Sequence, residues 1–175
     1  MIIRQAVIAD LDGIEQGYQE HFAHEKKYGA YTVFQEDVYP TRKVAETALQ
    51  NGTLYVYEEN GDVLGSIILN RQQPDEYKKI EWLSKASDEK VWVIHLLMVR
   101  PSAAGKGIGS SLVNYAVDIA KQCSCTAVRL DTGKQNIPAI SLYKKLGFQL
   151  VAALSMKVGG AIPHKEHLFF EKIIK

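Results

Sequence analysis

The stretch from Val91 to Leu112, VWVIHLLMVRPSAAGKGIGSSL, constrains this chain more than any other. Val91 to Val99 is an apolar run rich in β-branched residues, which predicts a buried strand. Arg100-Pro101-Ser102 breaks it, because proline has no amide proton for a sheet ladder and fixes its own φ. Gly105-Lys106-Gly107-Ile108-Gly109 follows, and then a helical pattern with Leu112, Ala116 and Ile119 on one face. Glycines at such a turn let the backbone come close to a ligand. The unpaired amides of the helix's first turn point outward with a partial positive charge. A strand, a glycine turn and a helix start in this order make a phosphate site.

Spacing excludes two phosphate loops. A Walker loop needs Ser or Thr after Gly-Lys, and here Gly107 follows Lys106. A G-x-G-x-x-G dinucleotide loop needs a sixth glycine, where this chain has Ser110 or Leu112. A second motif lies further on, Asn136-Ile137-Pro138-Ala139-Ile140-Ser141-Leu142-Tyr143-Lys144-Lys145-Leu146-Gly147-Phe148. The first motif resembles the R/Q-x-x-G-x-G/A loop of the Gcn5-related N-acetyltransferase (GNAT) family, with Ala104 in place of the usual Arg or Gln. The second resembles the N-x-x-A-x-x-x-Y-x-x-x-G-F helix of the same family. The two stand in family order, with a strand-like segment between them.

The rest of the chain fits that frame. Its 175 residues predict one domain over 1–175, large enough to bury a core without disulfides or metals. Apolar residues make up 46% and charged ones 23%, as in ordinary globular proteins. A net charge of +1 argues against nucleic-acid binding, which needs a clustered basic face. Cys123 and Cys125 lack the partners for a zinc site and stand too close to bridge, so free thiols in a reducing cytoplasm are expected. No apolar run reaches spanning length and the N-terminus lacks a signal-peptide plan, so neither a membrane nor a metal partner is expected.

Taken in order, Ile2–Val7 reads as a strand, followed by a helix with Asp10 as its cap and Leu11, Ile14, Tyr18 and Phe22 inward. Residues 26–40 read as irregular and aromatic. Thr41 is placed to cap a second helix, ended by Asn51-Gly52. Leu54–Glu58 and Val63–Leu69 form a hairpin about Asn60-Gly61. A polar excursion, 72–90, precedes the central strand. Thr126–Leu130 is a strand, 131–135 a loop, Pro138–Leu146 a helix, and Gln149–Met156 and His167–Ile174 are closing strands. This order predicts an α+β fold, a mixed, mostly antiparallel central sheet with helices on both faces. The resemblance implies the same GNAT-like plan.

The resemblance also implies a chemistry: transfer of an acetyl group from acetyl-coenzyme A to an amine, by direct attack in a ternary complex. It implies that the amides of Gly105, Lys106, Gly107, Ile108, Gly109 and Ser110 hold the pyrophosphate. By position it implicates the backbones of Leu97, Met98 and Val99 in a bulged, splayed strand along the pantetheine arm. Tyr143 then matches the general acid for the departing thiolate, or else packs beneath a cap closed by Gly147 and Phe148. Asn136 either caps its helix or bonds the cofactor. His95, on the central strand, is the candidate base, as an unperturbed imidazole titrates near about 6.5; a core histidine is the other reading. Glu58, Glu81 and a carboxylate of the aromatic segment are reserves; the aromatics of residues 26–40 and 72–90 either wall the acceptor site, with Glu36 or Asp37 facing an ammonium, or only anchor the loops to the core. The acceptor stays open among small amines, amino acids and protein amines, and assembly as a monomer or a homodimer fits equally. The rival function is a non-catalytic acyl-coenzyme A binding or sensing domain.

Overall fold

A computed structural model describes residues 1–175, and the strand–turn–helix unit lies at the middle of its sheet. In chain order the elements are β1 (Ile2–Gln5), α1 (Leu11–Tyr28), α2 (Arg42–Gln50), β2 (Leu54–Glu59), β3 (Asp62–Asn70), β4 (Val91–Val99), α3 (Ile108–Gln122), β5 (Ala127–Gly133), α4 (Ile137–Lys145), β6 (Gln149–Val158) and β7 (Ile162–Ile173). The seven strands form one sheet in the order β1-β2-β3-β4-β5-β7-β6. All neighbours are antiparallel except β4 and β5. The expected α+β architecture is therefore the observed one.

Two irregularities of β4 set the geometry at the centre of the sheet. Against β3, Ile68 pairs with Leu96 while Leu69 pairs with Ile94, so His95 is the extra residue of a bulge. Against β5, β4 pairs only from Val91 to Ile94. The remainder of that edge has no strand partner, and the sheet opens there. The bulge also resets the alternation of side chains. Ile94 belongs to the core under α3, with Leu112, Val113, Ala116 and Val117. Leu96 and Met98 belong to the opposite core, with Ile14 and Tyr18 of α1 and Ala45 and Ala48 of α2. Without the extra residue Ile94 and Leu96 would share a face.

The local signals mostly act as read. Leu11, Ile14, Tyr18 and Phe22 are all buried. Asn60 and Gly61 both have positive φ, which matches the twist of a two-residue hairpin. Asp10 departs from expectation. It holds position before α1 but makes no capping bond; its carboxylate instead takes Arg4 at 2.7 Å and the Val7 amide at 2.8 Å. The ion pair outcompetes the cap, and the Arg4 guanidinium keeps the carboxyl below its ordinary value against the opposing effect of burial. Thr41 likewise makes no side-chain cap. Asp131 lies inside β5 rather than in a loop, because Asp131 to Gly133 pair with His167 to Phe169 of β7. β7 begins at Ile162, since Ile162 to His164 ladder with Met156 to Val158.

The 72–90 excursion is anchored to the sheet by a buried ion pair, Arg129 Nε to Glu171 at 2.8 Å. Ser84 donates to Glu171 through both its amide and its hydroxyl, and Arg129 lies 4.3 Å from the centre of the Trp82 ring. These bonds satisfy the lone pairs and protons that burial strips of water. No helix is long and apolar enough to cross a membrane. Cys123 is exposed and Cys125 buried, both as free thiols.

Candidate active site

The turn after β4 has the geometry its glycines suggest. Gly105 and Gly107 have φ near +78° and +76°, and a Cβ added at either would meet only open space. The amides from Gly105 to Ser110 donate to no acceptor in the protein; Ser111, bonding Gly107 at 3.0 Å, is the first that does. Six consecutive outward amides at the positive end of a 15-residue helix form a cradle suited to a phosphate. Lys106 is exposed beside them, and Ala104 contributes only a methyl group. Gly109 serves packing as well, as a Cβ there would meet Leu142 of α4 at 3.2 Å.

From this cradle a cavity of about 1120 Å³ runs into the gap between β4 and β5. Ala104 and Gly109 lie at its rim, and Leu97, Met98 and Val99 form one wall. Asn136, Ala139, Leu142 and Tyr143 of α4 form the other. The cavity continues through the sheet to its opposite face, where His95, Asp131 and His167 meet Tyr31, Phe34 and Tyr39 of the α1–α2 segment. His95, Leu97, Met98, Val99, Gly109, Asn136 and Tyr143 thus line one opening in the sheet, although Gly105 to Ile108 and Ser110 lie outside the enclosed part.

Tyr143 is held by the end of α4. Gly147, with φ +86°, lets the Phe148 amide reach the Tyr143 carbonyl at 3.0 Å and the Gly147 amide reach Lys144 at 3.1 Å. This is the double bond pattern of a left-handed helix stop. The Tyr143 ring packs on Phe148 and Phe170, each 6.0 Å away between centres. Its hydroxyl makes no hydrogen bond to the protein, and its side chain lines the cavity. Burial, helped by the charge of Asp131, pushes that hydroxyl well above its ordinary value, so it stays protonated at neutral pH. The packing role is real for the ring, while the hydroxyl is left to the cavity.

Asn136 caps α4, its Oδ1 accepting from the Ala139 amide at 3.3 Å, and it also lines the cavity. Asn136→Ala should therefore lower stability by about 1 kcal/mol through the lost cap, read as a small drop in melting temperature.

His95 points to the face opposite α3, with Nε2 2.5 Å from the Asn70 side-chain oxygen. Burial lowers its pKa, against smaller opposing effects of Asp131 and of a bond to the Gln72 backbone. A neutral imidazole in a cavity can accept a proton. The reserve carboxylates lie elsewhere. Glu58 serves the hairpin, accepting from the Gly61 amide and lying 3.7 Å from Arg4. Glu81 is exposed outside the cavity, Glu36 pairs with Lys26, and Asp37 is exposed.

Two carboxylates with weak sequence signals brace the site. On α1, Glu25 takes the Tyr31 amide at 2.7 Å and the Thr32 amide at 2.9 Å, and it pairs with His21 at 2.9 Å. That buried knot pins the aromatic segment over the cavity. On β5, Asp131 accepts from the Tyr77 hydroxyl at 2.7 Å and lies 2.8 Å from His167 Nε2. Its only sequence signal is a charge closing an apolar strand.

The comparisons agree with this geometry. The sequence pattern of the Acetyltransferase (GNAT) family matches residues 14–148. An uncharacterized N-acetyltransferase of Methanocaldococcus jannaschii is 34% identical over 95 residues, 54% of this chain and 38% of that protein, so the match spans less than two thirds of its length. A GNAT-family acetyltransferase structure from Streptococcus agalactiae superposes with a TM-score of 0.81 at 21% identity, covering 99% of this chain and 95% of its own. An N-acetyltransferase structure from Staphylococcus aureus Mu50 does so with a TM-score of 0.69 at 26% identity, over 99% and 98%. With a family pattern over most of its length, the chain belongs to the acetyltransferase (GNAT) family.

Proposed function

We propose that residues 1–175 act as one N-acetyltransferase domain that moves an acetyl group from acetyl-coenzyme A to a primary amine, both substrates being bound together. The observation that carries this reading is the run of unpaired amides, Gly105 to Ser110, leading into a cavity that passes through the sheet. Those amides fit the pyrophosphate of the donor, and the unpaired edge of β4 from Leu97 to Val99 fits its amide-bearing arm. Asn136 stands beside that path. The cavity continues to a second face with its own aromatic wall, which a domain that only binds the donor has no use for.

The chain's residues then divide the proton traffic. His95 takes a proton from the acceptor nitrogen, directly or through water, and frees its lone pair for the carbonyl carbon. After attack the nitrogen sheds its second proton to solvent; as the carbon–sulfur bond breaks, Tyr143 gives its hydroxyl proton to the departing sulfur and regains one from solvent. Products are the amide, the free thiol and one proton for each protonated amine consumed.

The test is acetyl-coenzyme A turnover with a panel of primary amines, following thiol release and the mass of the product. Thiol and N-acetyl product in equal amounts are expected. Tight coenzyme A binding with no product from any amine would overturn the reading.

A further inference from the structure

Asp131 carries an inference about the acceptor, and it rests on the acetyl-transfer reading above. Its side chain is 14% exposed, inside the cavity where β5 leaves β4. The only basic group within ion-pair distance is the His167 imidazole, and the other bonded partner is the Tyr77 hydroxyl. No lysine or arginine reaches it, although the nearby Glu171 is matched by Arg129. His164 Nδ1 in turn lies 3.1 Å from His167 Nδ1, so this bonded line holds Asp131 in place from the protein side. Its charge adds to the burial that raises Tyr143 on α4 and Tyr39 after α1, and partly opposes the burial that lowers His95 on β4. A carboxylate removed from water without a permanent cation is costly, and a cation brought by the ligand removes that cost.

The surroundings point to the same ligand. The charged side chains lining the cavity, histidines aside, are Asp75, Glu76, Asp131 and Lys157, and of the carboxylates only Asp75 has an ion-pair partner that is a lysine or arginine, Lys78 at 3.0 Å. Tyr28, Tyr31 and Tyr39 line the same space, and aromatic faces attract alkylammonium groups, as the Lys27 ammonium 5.0 Å from the Tyr28 ring centre already shows.

We propose that Asp131 is the docking carboxylate for the acceptor, and that the acceptor is a primary alkylamine, protonated on arrival, with no carboxylate beside its reacting nitrogen. An α-amino acid would bring its own carboxylate against Asp131, where like charges repel. No bond forms or breaks in this docking; it positions the ammonium for loss of its proton to His95.

The experiment compares acceptors that differ by that one carboxylate, tyramine against tyrosine and agmatine against arginine, on the parent protein and on Asp131→Asn. Each decarboxylated amine should exceed its amino acid in kcat/KM by at least about tenfold, the scale of one charge-assisted contact. Asp131→Asn should raise KM for the amines by at least about tenfold, change kcat less, and narrow the ratio within each pair. Unchanged coenzyme A affinity would certify that variant as folded. If it does not fold, the ratio on the parent decides alone. Amino acids used as well as their amines, or an unchanged KM in the folded variant, would overturn the inference while leaving acetyl transfer intact. No product from any compound would overturn both.

Discussion

Replacing Tyr143 by phenylalanine should slow single-turnover acetyl transfer by roughly 10²–10⁴-fold, the usual range for a lost general acid. The structure makes the substitution unusually clean. The ring keeps its contacts with Phe148 and Phe170, and the backbone bond from Phe148 that closes α4 does not involve the side chain. Since the hydroxyl bonds no protein group, its removal orphans no buried partner, so the melting temperature should hardly move. Coenzyme A affinity should also hold. A folded variant with a near-parental single-turnover rate would remove Tyr143 from the chemistry.

His95→Gln should be of similar size but different in form. Glutamine preserves a donor for Asn70 and most of the volume, while removing a group that accepts a proton near neutral pH. Turnover at pH 7 should fall by roughly 10²–10⁴-fold. It should recover as the medium approaches the amine's own pKa, near about 10 for a lysine-like amine, because the base is then needed less. The sign for the parent follows from burial. A lowered pKa keeps His95 neutral and competent below the ordinary value of about 6.5, so the acidic fall in rate belongs below that pH. A variant with the parental rate and pH profile would move the base elsewhere.

Much of the fold and of the donor site was legible in the sequence. The glycine turn, the Asn60-Gly61 hairpin, the α4 stop at Gly147 and the element order all rest on local chemistry: positive φ, missing amide protons and side-chain periodicity. What escaped depends on contacts distant in sequence. A bulge in β4 was implied by the family resemblance alone; its place at His95 leaves no trace in the residues, because Ile94, Leu96 and Leu97 suit either face. Asp10 resembles a helix cap until Arg4 and the Val7 amide are seen to claim it. Asp131 sat in an apparent loop until pairing with β7 extended the strand. The reserve carboxylates failed for the converse reason: residue type marked Glu58 and Glu81 as possible bases, and only the fold shows that they face away from the opening. The candidate donor side shows in the sequence because repeated glycines encode that turn locally, whereas the proposed acceptor side is assembled from segments distant in sequence.

The central claim is that the donor is held by the unpaired amides of the β4–α3 turn, and one calorimetric comparison addresses it. Gly107 combines a φ of +76° with open space where a Cβ would stand. Valine there strains the left-handed backbone by roughly 1–2 kcal/mol and pushes two methyl groups over the amides a phosphate would use. Coenzyme A titrated into the parent and into Gly107→Val, each checked by a thermal melt, should bind the parent and bind the variant at least about tenfold more weakly, the equivalent of one lost charge-assisted bond. Equal affinity in a folded variant would contradict the placement.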